Sequence, residues 1–382
     1  MGFHEFSSPY DWSRIAAYKR TAKAAFGGMI DLSVGSPVDP VPDSVRKALA
    51  VAANDPNAYG YPATAGTADL RAAIAEWFSA ARNVDLQAIH ADVVPTVGSK
   101  EGVALMASLL HFGEDDVVVQ PKVSYPTYEI GTQLAGAQVL KVDDVADVAS
   151  WRNVPGVKAV WVNSPCNPTG EVYSAERMAG IVAAVREIGA VVLSDECYAL
   201  MQWRGATNSA DDDPLQSTPC ALRSDVCAGS AEGVLVLYSL SKQSNMAGYR
   251  TAFIAGDESL IASMSAYRKQ IGQIIPGPVQ AAMAAGLRDL ESVKVQHVRY
   301  RERLGVLVSA LRAYGYCTDM PDGALYVWVR AKSGDCWTDM EQLAKIGIIA
   351  SPGEFYGAPE CLRFSATASD EAIASAAERL AR

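Results

Sequence analysis

Lys242 closes the segment Ser239-Leu240-Ser241-Lys242, which directly follows the apolar run Val234–Tyr238. A lysine held at the end of a buried strand can act as a nucleophilic amine, because a desolvating pocket lowers the pKa of its ammonium group. Ser239 and Ser241 add hydroxyl groups that can donate hydrogen bonds to a phosphate. The same pattern is also typical of a lysine that simply leaves the sheet towards solvent, so Lys242 alone leaves both interpretations open.

A carboxylate follows a second apolar run, in the segment Val191–Tyr198. Burying Asp195 at the end of a strand is costly unless the carboxylate is paired. A protonated ring nitrogen is a suitable partner, and such a pair preserves the electron-withdrawing character of an aromatic cofactor. Aspartate is also favoured as a helix N-cap, and this second interpretation of Asp195 stays open.

Two loop motifs could complete such a site. Asn163–Gly170 is rich in Asn, Pro and Gly; it indicates a turn, or a loop whose Asn167 amide hydrogen-bonds a phenolic oxygen. Gly98-Ser99-Lys100-Glu101 begins a predicted helix. Small residues at a helix N-terminus expose N–H groups that bind phosphate well, although an ordinary cap has the same pattern.

The segments that position these residues alternate between strands and helices. Valine-rich runs that are apolar on both faces favour buried strands, and the alternation predicts an α/β domain with a mainly parallel sheet. Ligands bind at the carboxyl ends of strands in such sheets, where all four motifs are predicted to lie. The predicted strands are 116–120, 137–142, 157–163, 190–194, 234–239 and 251–255, and the predicted helices between them include 67–82, 99–112 and 174–188.

The regular alternation of predicted strands and helices ends after Gly256. A helix is expected at 257–272, followed by a break at 276–278 and by one long helix or a bent pair over 279–314. A strand at 325–329, a helix at 339–345 and a strand at 361–365 complete a smaller α+β unit. The predicted large domain is therefore 45–275, and the small domain combines 1–44 with 276–382.

Composition narrows the classes of function. The chain has 382 residues, a net charge of −10 and 20% charged residues, which argues against nucleic-acid and acidic-membrane binding. Its seven scattered cysteines and four histidines favour neither disulfides nor a metal site. Without an apolar leader or a run of ~20 apolar residues, a cytoplasmic location is expected.

The motifs together resemble the class I/II aminotransferases of pyridoxal phosphate (PLP) fold type I. The resemblance rests on Ser239–Lys242 followed by Gly248-Tyr249-Arg250, on Asn-Pro-Thr-Gly at 167–170 and on Asp-Glu-x-Tyr at 195–198. These motifs occur in the family's order and extend the likeness from about residue 32 to residue 366. The resemblance implies a large domain with a mainly parallel sheet sandwiched by helices, a smaller α+β domain, PLP as cofactor and transamination as the reaction.

The resemblance also implies residue roles. Lys242 carries PLP as a Schiff base and moves the proton between Cα and C4′. Asp195 pairs with the pyridinium nitrogen, and Tyr198 and Asn167 hydrogen-bond the phenolate. Tyr125 stacks on the ring. The residues implied to hold the phosphate are Gly98, Ser99, Lys100, Ser239, Ser241 and Arg250.

Three further residues are assigned by the resemblance to the substrate or to a neighbouring subunit. Arg363 matches the clamp for the substrate α-carboxylate, which Asn167 and the backbone at Gly35 also approach; an internal salt bridge is the alternative for Arg363. Tyr61 matches a tyrosine that reaches the phosphate of the other subunit, which implies a homodimer with shared sites. A tyrosine packed in a surface turn is the other interpretation of Tyr61.

The overall motif pattern is most similar to bacterial N-succinyldiaminopimelate aminotransferases of lysine biosynthesis, which implies 2-oxoglutarate and glutamate as the second pair of reactants. A distal carboxylate would favour a second cation, for which the N-terminal candidates are Arg14, Lys19, Arg20 and Lys23; a solvated helix face explains them equally. The alternatives are an aminotransferase for aspartate, aromatic or related amino acids, a PLP-dependent carbon–sulfur β-lyase, and a PLP-binding regulator, which would need a separate DNA-binding module.

Overall fold

The computed structural model describes residues 11–56, 58–203 and 218–382. Its helices are α1 (Ile15–Ala24), α2 (Asp43–Ala52), α3 (Ala68–Arg82), α4 (Ser99–Leu109), α5 (Thr127–Leu134), α6 (Ala175–Glu187), α7 (Ser224–Cys227), α8 (Leu240–Gln243), α9 (Glu258–Gln270), α10 (Gly277–Arg288), α11 (Leu290–Ala313), α12 (Cys336–Lys345) and α13 (Asp370–Leu380). Its strands are β1 (Ile30–Asp31), β2 (Ala91–Val97), β3 (Val117–Pro121), β4 (Gln138–Val142), β5 (Val157–Asn163), β6 (Val191–Asp195), β7 (Val234–Ser239), β8 (Thr251–Asp257), β9 (Tyr326–Arg330), β10 (Ile348–Ile349), β11 (Ser351–Pro352) and β12 (Cys361–Ser365).

These elements form two compact units. Within the described residues, the smaller unit comprises 11–35, 302–320 and 325–382, and the larger unit comprises 36–301 and 321–324. The sequence-based boundaries lay at 44/45 and 275/276, whereas the units divide at 35/36 and 301/302.

The larger unit is built on a seven-stranded sheet with the order β2-β8-β7-β6-β5-β3-β4. Strand β8 runs antiparallel to both of its neighbours, and the other six strands run in one direction. Successive residues of β5 enter different apolar clusters: Val160 and Val162 pack on one side, Ala159 and Trp161 on the other. A sheet covered on both faces by helices follows, and the predicted fold class is confirmed.

The observed elements match most of the predicted ones. The long segment at 279–314 is a pair of helices, α10 and α11, which separate at Asp289, where the carboxylate accepts from the Ser292 N–H (3.1 Å). Strand β2 was not predicted, because Asp92 and Pro95 interrupt its apolar pattern. Proline is tolerated there because β2 is an edge strand of the sheet.

The smaller unit contains a three-stranded antiparallel sheet with the order β11-β12-β9. A short parallel pair, β1 with β10, ties residues 30–31 to residues 348–349. The sequence showed no strand alternation before residue 45, so β1 was not foreseen. Among the described residues, no helix combines the length and the apolar character that crossing a bilayer requires.

Candidate active site

The predicted motifs of the larger unit lie along one edge of its sheet. Strands β2, β5, β6 and β7 end at this edge, and the antiparallel β8 begins there. In the sheet register Asn163 is opposite Asp195, Ser239 is opposite Ala252, and Val97 is opposite Thr251. The loops that carry Gly98, Asn167, Asp195 and Lys242 therefore leave adjacent strands at the same edge, where open α/β sheets bind ligands.

Asp195 ends strand β6 with only 6% of its surface exposed. The Tyr128 hydroxyl donates to its Oδ2 (2.7 Å), and the Cys197 backbone N–H donates to its Oδ1 (3.2 Å). Burial raises the pKa of Asp195, while both hydrogen bonds act in the opposite direction. A carboxylate desolvated to this degree is stabilised by a nearby cation, as the proposed pairing with a pyridinium nitrogen requires.

The Asn-rich loop is tied to the same strand end. The Asn163 amide donates to the Asp195 carbonyl (2.9 Å), and the Asn167 backbone N–H donates to the Asn163 Oδ1 (2.8 Å). Asn167 and Tyr198 are both buried, with 6% and 8% of their surfaces exposed. The loop therefore places Asn167 beside the strand end that carries Asp195.

Lys242 lies in the short helix α8, directly after β7. The Ser239 side chain caps this helix by accepting from the Ser241 N–H (3.1 Å) and donates to the Thr251 carbonyl (3.1 Å). The Cys197 thiol interacts with one residue of α4, Ser99, and one residue of α8, Lys242. Burial raises its pKa, against which a hydrogen bond with Ser99 and the Lys242 charge both act. Lys242 and Ser99 therefore both lie near the Cys197 thiol. In the sequence, Cys197 itself lies between Asp195 and Tyr198.

The predicted phosphate loop depends on Gly98, which has φ +78° and is the N-cap of α4. A Cβ atom there would collide with the guanidinium of Arg250. Arg250 itself donates to the Ala247 carbonyl (2.8 Å). Ser99 and Lys100 follow at the helix start, so the backbone N–H groups of the first turn lie close to the Arg250 guanidinium. This combination suits a dianionic phosphate.

Arg363 lies in the middle of β12 in the smaller unit, with 5% of its surface exposed. Its Nη2 donates to the Ser33 carbonyl (2.8 Å). Its Cζ lies 4.0 Å from the ring centroid of Tyr326 and 4.8 Å from that of Tyr356. The space beside the Gly35 Cα is occupied by the Tyr326 hydroxyl, so a side chain at this position would clash with it.

The remaining predicted residues lie in varied surroundings. The side chain of Tyr61 is fully exposed. Tyr125 is partly buried, and its ring meets that of Tyr128 edge-on at 5.7 Å. Among the N-terminal cations, Arg14 pairs with Glu354 (2.9 Å) and Lys19 with Asp31 (2.8 Å), whereas Arg20 and Lys23 are exposed.

Some residues that shape the site were not singled out from the sequence. Tyr128 holds Asp195, and Tyr326 and Tyr356 flank Arg363. Tyr128 and Tyr356 lie a few positions from the predicted Tyr125 and Arg363, which is a weak sequence signal, whereas Tyr326 has no predicted site residue near it in the sequence. The buried pairs Arg82–Glu196 (2.9 Å) and Arg268–Glu101 (2.7 Å) join residues more than a hundred positions apart, so no local pattern reveals them.

Comparison with known families decides the class of protein. The model of the family described as aminotransferase class I and II matches residues 27–380. This chain is a class I/II aminotransferase. PLP is the cofactor of this family, and the resemblance drawn from the motifs is confirmed at that level. The glycine at position 98, the buried Asp195 carboxylate and the strand-end Lys242 fit this group.

Relatives of this aminotransferase differ in substrate. It is 40% identical over 373 residues to the 4-dedimethylamino-4-oxo-anhydrotetracycline transaminase OxyQ of Streptomyces rimosus, with 97% of this chain and 98% of OxyQ covered. It is 28% identical to the LL-diaminopimelate aminotransferase of Syntrophobacter fumaroxidans, covering 97% of this chain and 95% of the relative.

A solved structure from Thermus thermophilus, described as a probable N-succinyldiaminopimelate aminotransferase, is similar in fold and sequence. It superimposes on this aminotransferase with a TM-score of 0.81 at 27% identity, covering 97% of this chain and 99% of the other.

Within the described residues, no group of three or more His, Cys, Asp or Glu side chains could hold a metal ion.

Proposed function

We propose that this aminotransferase converts N-succinyl-LL-2,6-diaminopimelate, with 2-oxoglutarate as the amino acceptor, in lysine biosynthesis. The observation that carries the proposal is the likeness, along 97% of the chain at 27% identity, to the Thermus structure described as a probable N-succinyldiaminopimelate aminotransferase. The relative that acts on LL-diaminopimelate supports a donor of the same carbon skeleton. A cytoplasmic location is part of the same proposal.

The described side chains supply the steps around the cofactor. PLP, when bound, supplies a ring that takes up electrons as the Cα–H bond of an amino acid breaks. The Lys242 amine takes the proton from Cα and delivers it to C4′ of the cofactor, and Asp195 keeps the ring nitrogen protonated. Asn167 and Tyr198 hydrogen-bond the ring oxygen, and Tyr125 covers a face of the ring.

The phosphate and the substrate bind at other groups. Gly98, Ser99, Lys100, Ser239, Ser241 and Arg250 hold the phosphate of the cofactor. The planar fork of Arg363 binds the α-carboxylate through paired hydrogen bonds, the geometry that arginine supplies and lysine does not. Its contacts with the rings of Tyr326 and Tyr356 support this role, because they restrict the orientation of the guanidinium.

A second candidate function follows from OxyQ, which is the more similar relative at 40% identity. By this interpretation the acceptor is a large polycyclic ketone and the donor an ordinary amino acid. Both functions use the same cofactor and the same Lys242 chemistry, so they differ in the shape of the carbonyl substrate that is accepted.

A steady-state assay distinguishes the succinyldiaminopimelate function from the tetracycline-type function. N-succinyl-LL-diaminopimelate with 2-oxoglutarate is compared with LL-diaminopimelate, aspartate and phenylalanine as donors, and with 4-dedimethylamino-4-oxo-anhydrotetracycline as acceptor. We expect kcat/KM for the succinylated donor to exceed the others by about 100-fold, which corresponds to about 2.7 kcal/mol of discrimination. A higher value for the tetracycline ketone favours the second candidate. Release of pyruvate and ammonia from cystathionine without a keto acid would instead indicate a β-lyase.

We further propose a homodimer in which Tyr61 reaches the phosphate in the partner subunit. A tyrosine with a fully exposed side chain is the observation behind this proposal, since large exposed aromatic residues are enriched at interfaces. Analytical ultracentrifugation should give a dimer, and Tyr61→Ala should weaken PLP binding in it. A fully active dilute monomer would contradict the shared site.

A further inference from the structure

A buried ion pair lies directly behind the proposed phosphate loop. Arg268, near the end of α9, donates from Nη1 to Glu101 Oε1 (2.7 Å) and from Nη2 to Glu101 Oε2 (3.0 Å). The side chain of Arg268 is fully buried, and that of Glu101 is 16% exposed. Such a bidentate pair fixes the position of the carboxylate.

Glu101 also shapes the loop. Its Oε2 accepts from the Val97 backbone N–H (2.9 Å), so the carboxylate holds the last residue of β2 against the first turn of α4. Gly98, with its positive φ, follows Val97 immediately. The loop geometry therefore depends on an acceptor at position 101.

This arrangement has an electrostatic consequence. A carboxylate in the first turn of α4 has the same sign as the phosphate proposed to bind at that helix N-terminus, and the two repel each other. The acceptor that Val97 needs can be a neutral amide, whereas a carboxylate brings a full negative charge. The fully buried Arg268 supplies the opposite charge at hydrogen-bonding distance.

We infer that Arg268 is a positioning residue for cofactor binding: it neutralises Glu101, so that the loop Val97–Lys100 can accept a dianionic phosphate. This inference rests on the proposed assignment of Gly98, Ser99 and Lys100 to the phosphate of PLP. It assigns a role to a residue that does not touch the cofactor.

The inference predicts opposite effects of the two partners on cofactor affinity. In Arg268→Met the Glu101 charge is uncompensated, and the dissociation constant of PLP should rise about tenfold or more, as expected for a like charge near a dianion. In Glu101→Gln the amide oxygen still accepts from Val97 and the cation remains, so PLP should bind at least as tightly as in the unmodified protein. Arg268→Lys keeps the charge and should restore binding to within about threefold.

The measurements are PLP titration of the apoprotein by absorbance, the pH dependence of the bound ³¹P resonance, and the thermal midpoint of the apoprotein. Thermal midpoints should fall in both Arg268→Met and Glu101→Gln, because each removes one partner of a largely buried ion pair. The ³¹P titration should move to higher pH in Arg268→Met only. A purely structural role for the pair predicts weaker PLP binding in both variants, and that result overturns the inference.

Two further variants complete the experiment. Arg303→Met removes another buried arginine, which pairs with Asp370 (2.6 Å) in the smaller unit, and it should lower the thermal midpoint without changing PLP affinity. Arg250→Met tests the phosphate assignment itself. If Arg250→Met leaves PLP binding unchanged, the proposed phosphate site is wrong; if it weakens binding and Arg268→Met does not, only the present inference fails.

Discussion

Asp195 and Arg363 are about equally buried, but the two units hold them by different means. Asp195, at the end of a parallel strand, receives hydrogen bonds from Tyr128 and from the Cys197 backbone. Arg363, in the middle of an antiparallel strand, has its Cζ over the rings of Tyr326 and Tyr356. Directional donors orient a carboxylate, whereas ring faces orient a planar cation and leave its N–H groups for hydrogen bonds.

This difference follows from what each unit is proposed to do. In the larger unit, the groups proposed to react and to bind the cofactor share the carboxyl edge of one sheet. In the smaller unit, Arg363 is the group proposed to bind a carboxylate. Substitutions in the larger unit should therefore act mainly on kcat or on cofactor binding, and substitutions in the smaller unit mainly on KM.

The strongest test of this division is Lys242→Ala. Without the amine, kcat should fall by about 10⁴-fold or more, because both the covalent attachment of PLP and proton transfer at Cα are lost. The absorbance of the lysine-bound cofactor should also disappear. Retention of transamination in this variant would remove the basis for assigning the chemistry to this edge of the sheet.

The next test is Arg363→Lys in the smaller unit. The charge is kept but the bidentate fork is lost, so we expect KM to rise about 10- to 100-fold for every amino acid donor and keto acid, with a smaller change in kcat. Steady-state kinetics with two unrelated donors measure this. An unchanged KM would mean that the α-carboxylate binds elsewhere.

A smaller effect is expected at Tyr356. In Tyr356→Leu the ring over Arg363 is lost, and KM for the donor should rise about fivefold, since a cation–π contact as long as 4.8 Å is expected to contribute about 1 kcal/mol. Tyr356→Phe keeps the ring and loses only the contact of the hydroxyl with Ser351 (3.2 Å), so its KM should stay close to that of the unmodified enzyme. Equal increases in both variants would assign the effect to the hydroxyl rather than to stacking.

The smallest expected effect concerns the stability of the apoprotein. Burial raises the pKa of Asp195 in the folded state above its unfolded value, so this carboxyl destabilises the folded protein once the pH rises above the unfolded pKa, and the destabilisation is lost as the pH falls below it. Asp195→Asn should therefore raise the apoprotein thermal midpoint by a few degrees, or about 1 kcal/mol, at neutral pH and by less in acid. Calorimetry across pH checks both the sign and the trend; a gain that grows towards low pH contradicts the assignment.

Much of the larger unit could be predicted because its signals are local. Strands 157–163 and 234–239 have the predicted bounds, since uninterrupted apolar runs mark buried parallel strands. The short motifs that follow these strands could be recognised in the same way. Strand β2 escaped prediction because Pro95 interrupts its pattern, and proline is acceptable there only because of its edge position, which the sequence does not show.

The residues that hold the site residues in place could not be predicted, because their partners are distant in the sequence. Arg268 and Glu101 are 167 residues apart, and each alone looks like an ordinary charged helix residue. The close approach of the Tyr326 hydroxyl to Gly35, which leaves no room for a side chain at position 35, was likewise not foreseen. Such pairs depend on the packing of distant segments, and packing has no periodic signature in the sequence.

The antiparallel direction of β8 has a consequence for how the chain folds. Because β7 and β8 are adjacent and antiparallel, the connection that carries Lys242 and Arg250 is a short link between paired strands, with Ser239 opposite Ala252. Asp195 and Asn167, in contrast, join Lys242 only after longer crossovers have closed, which costs more chain entropy. We expect the amides of this β7–β8 hairpin to gain protection from hydrogen exchange during refolding before the parallel strand β5 pairs with β6.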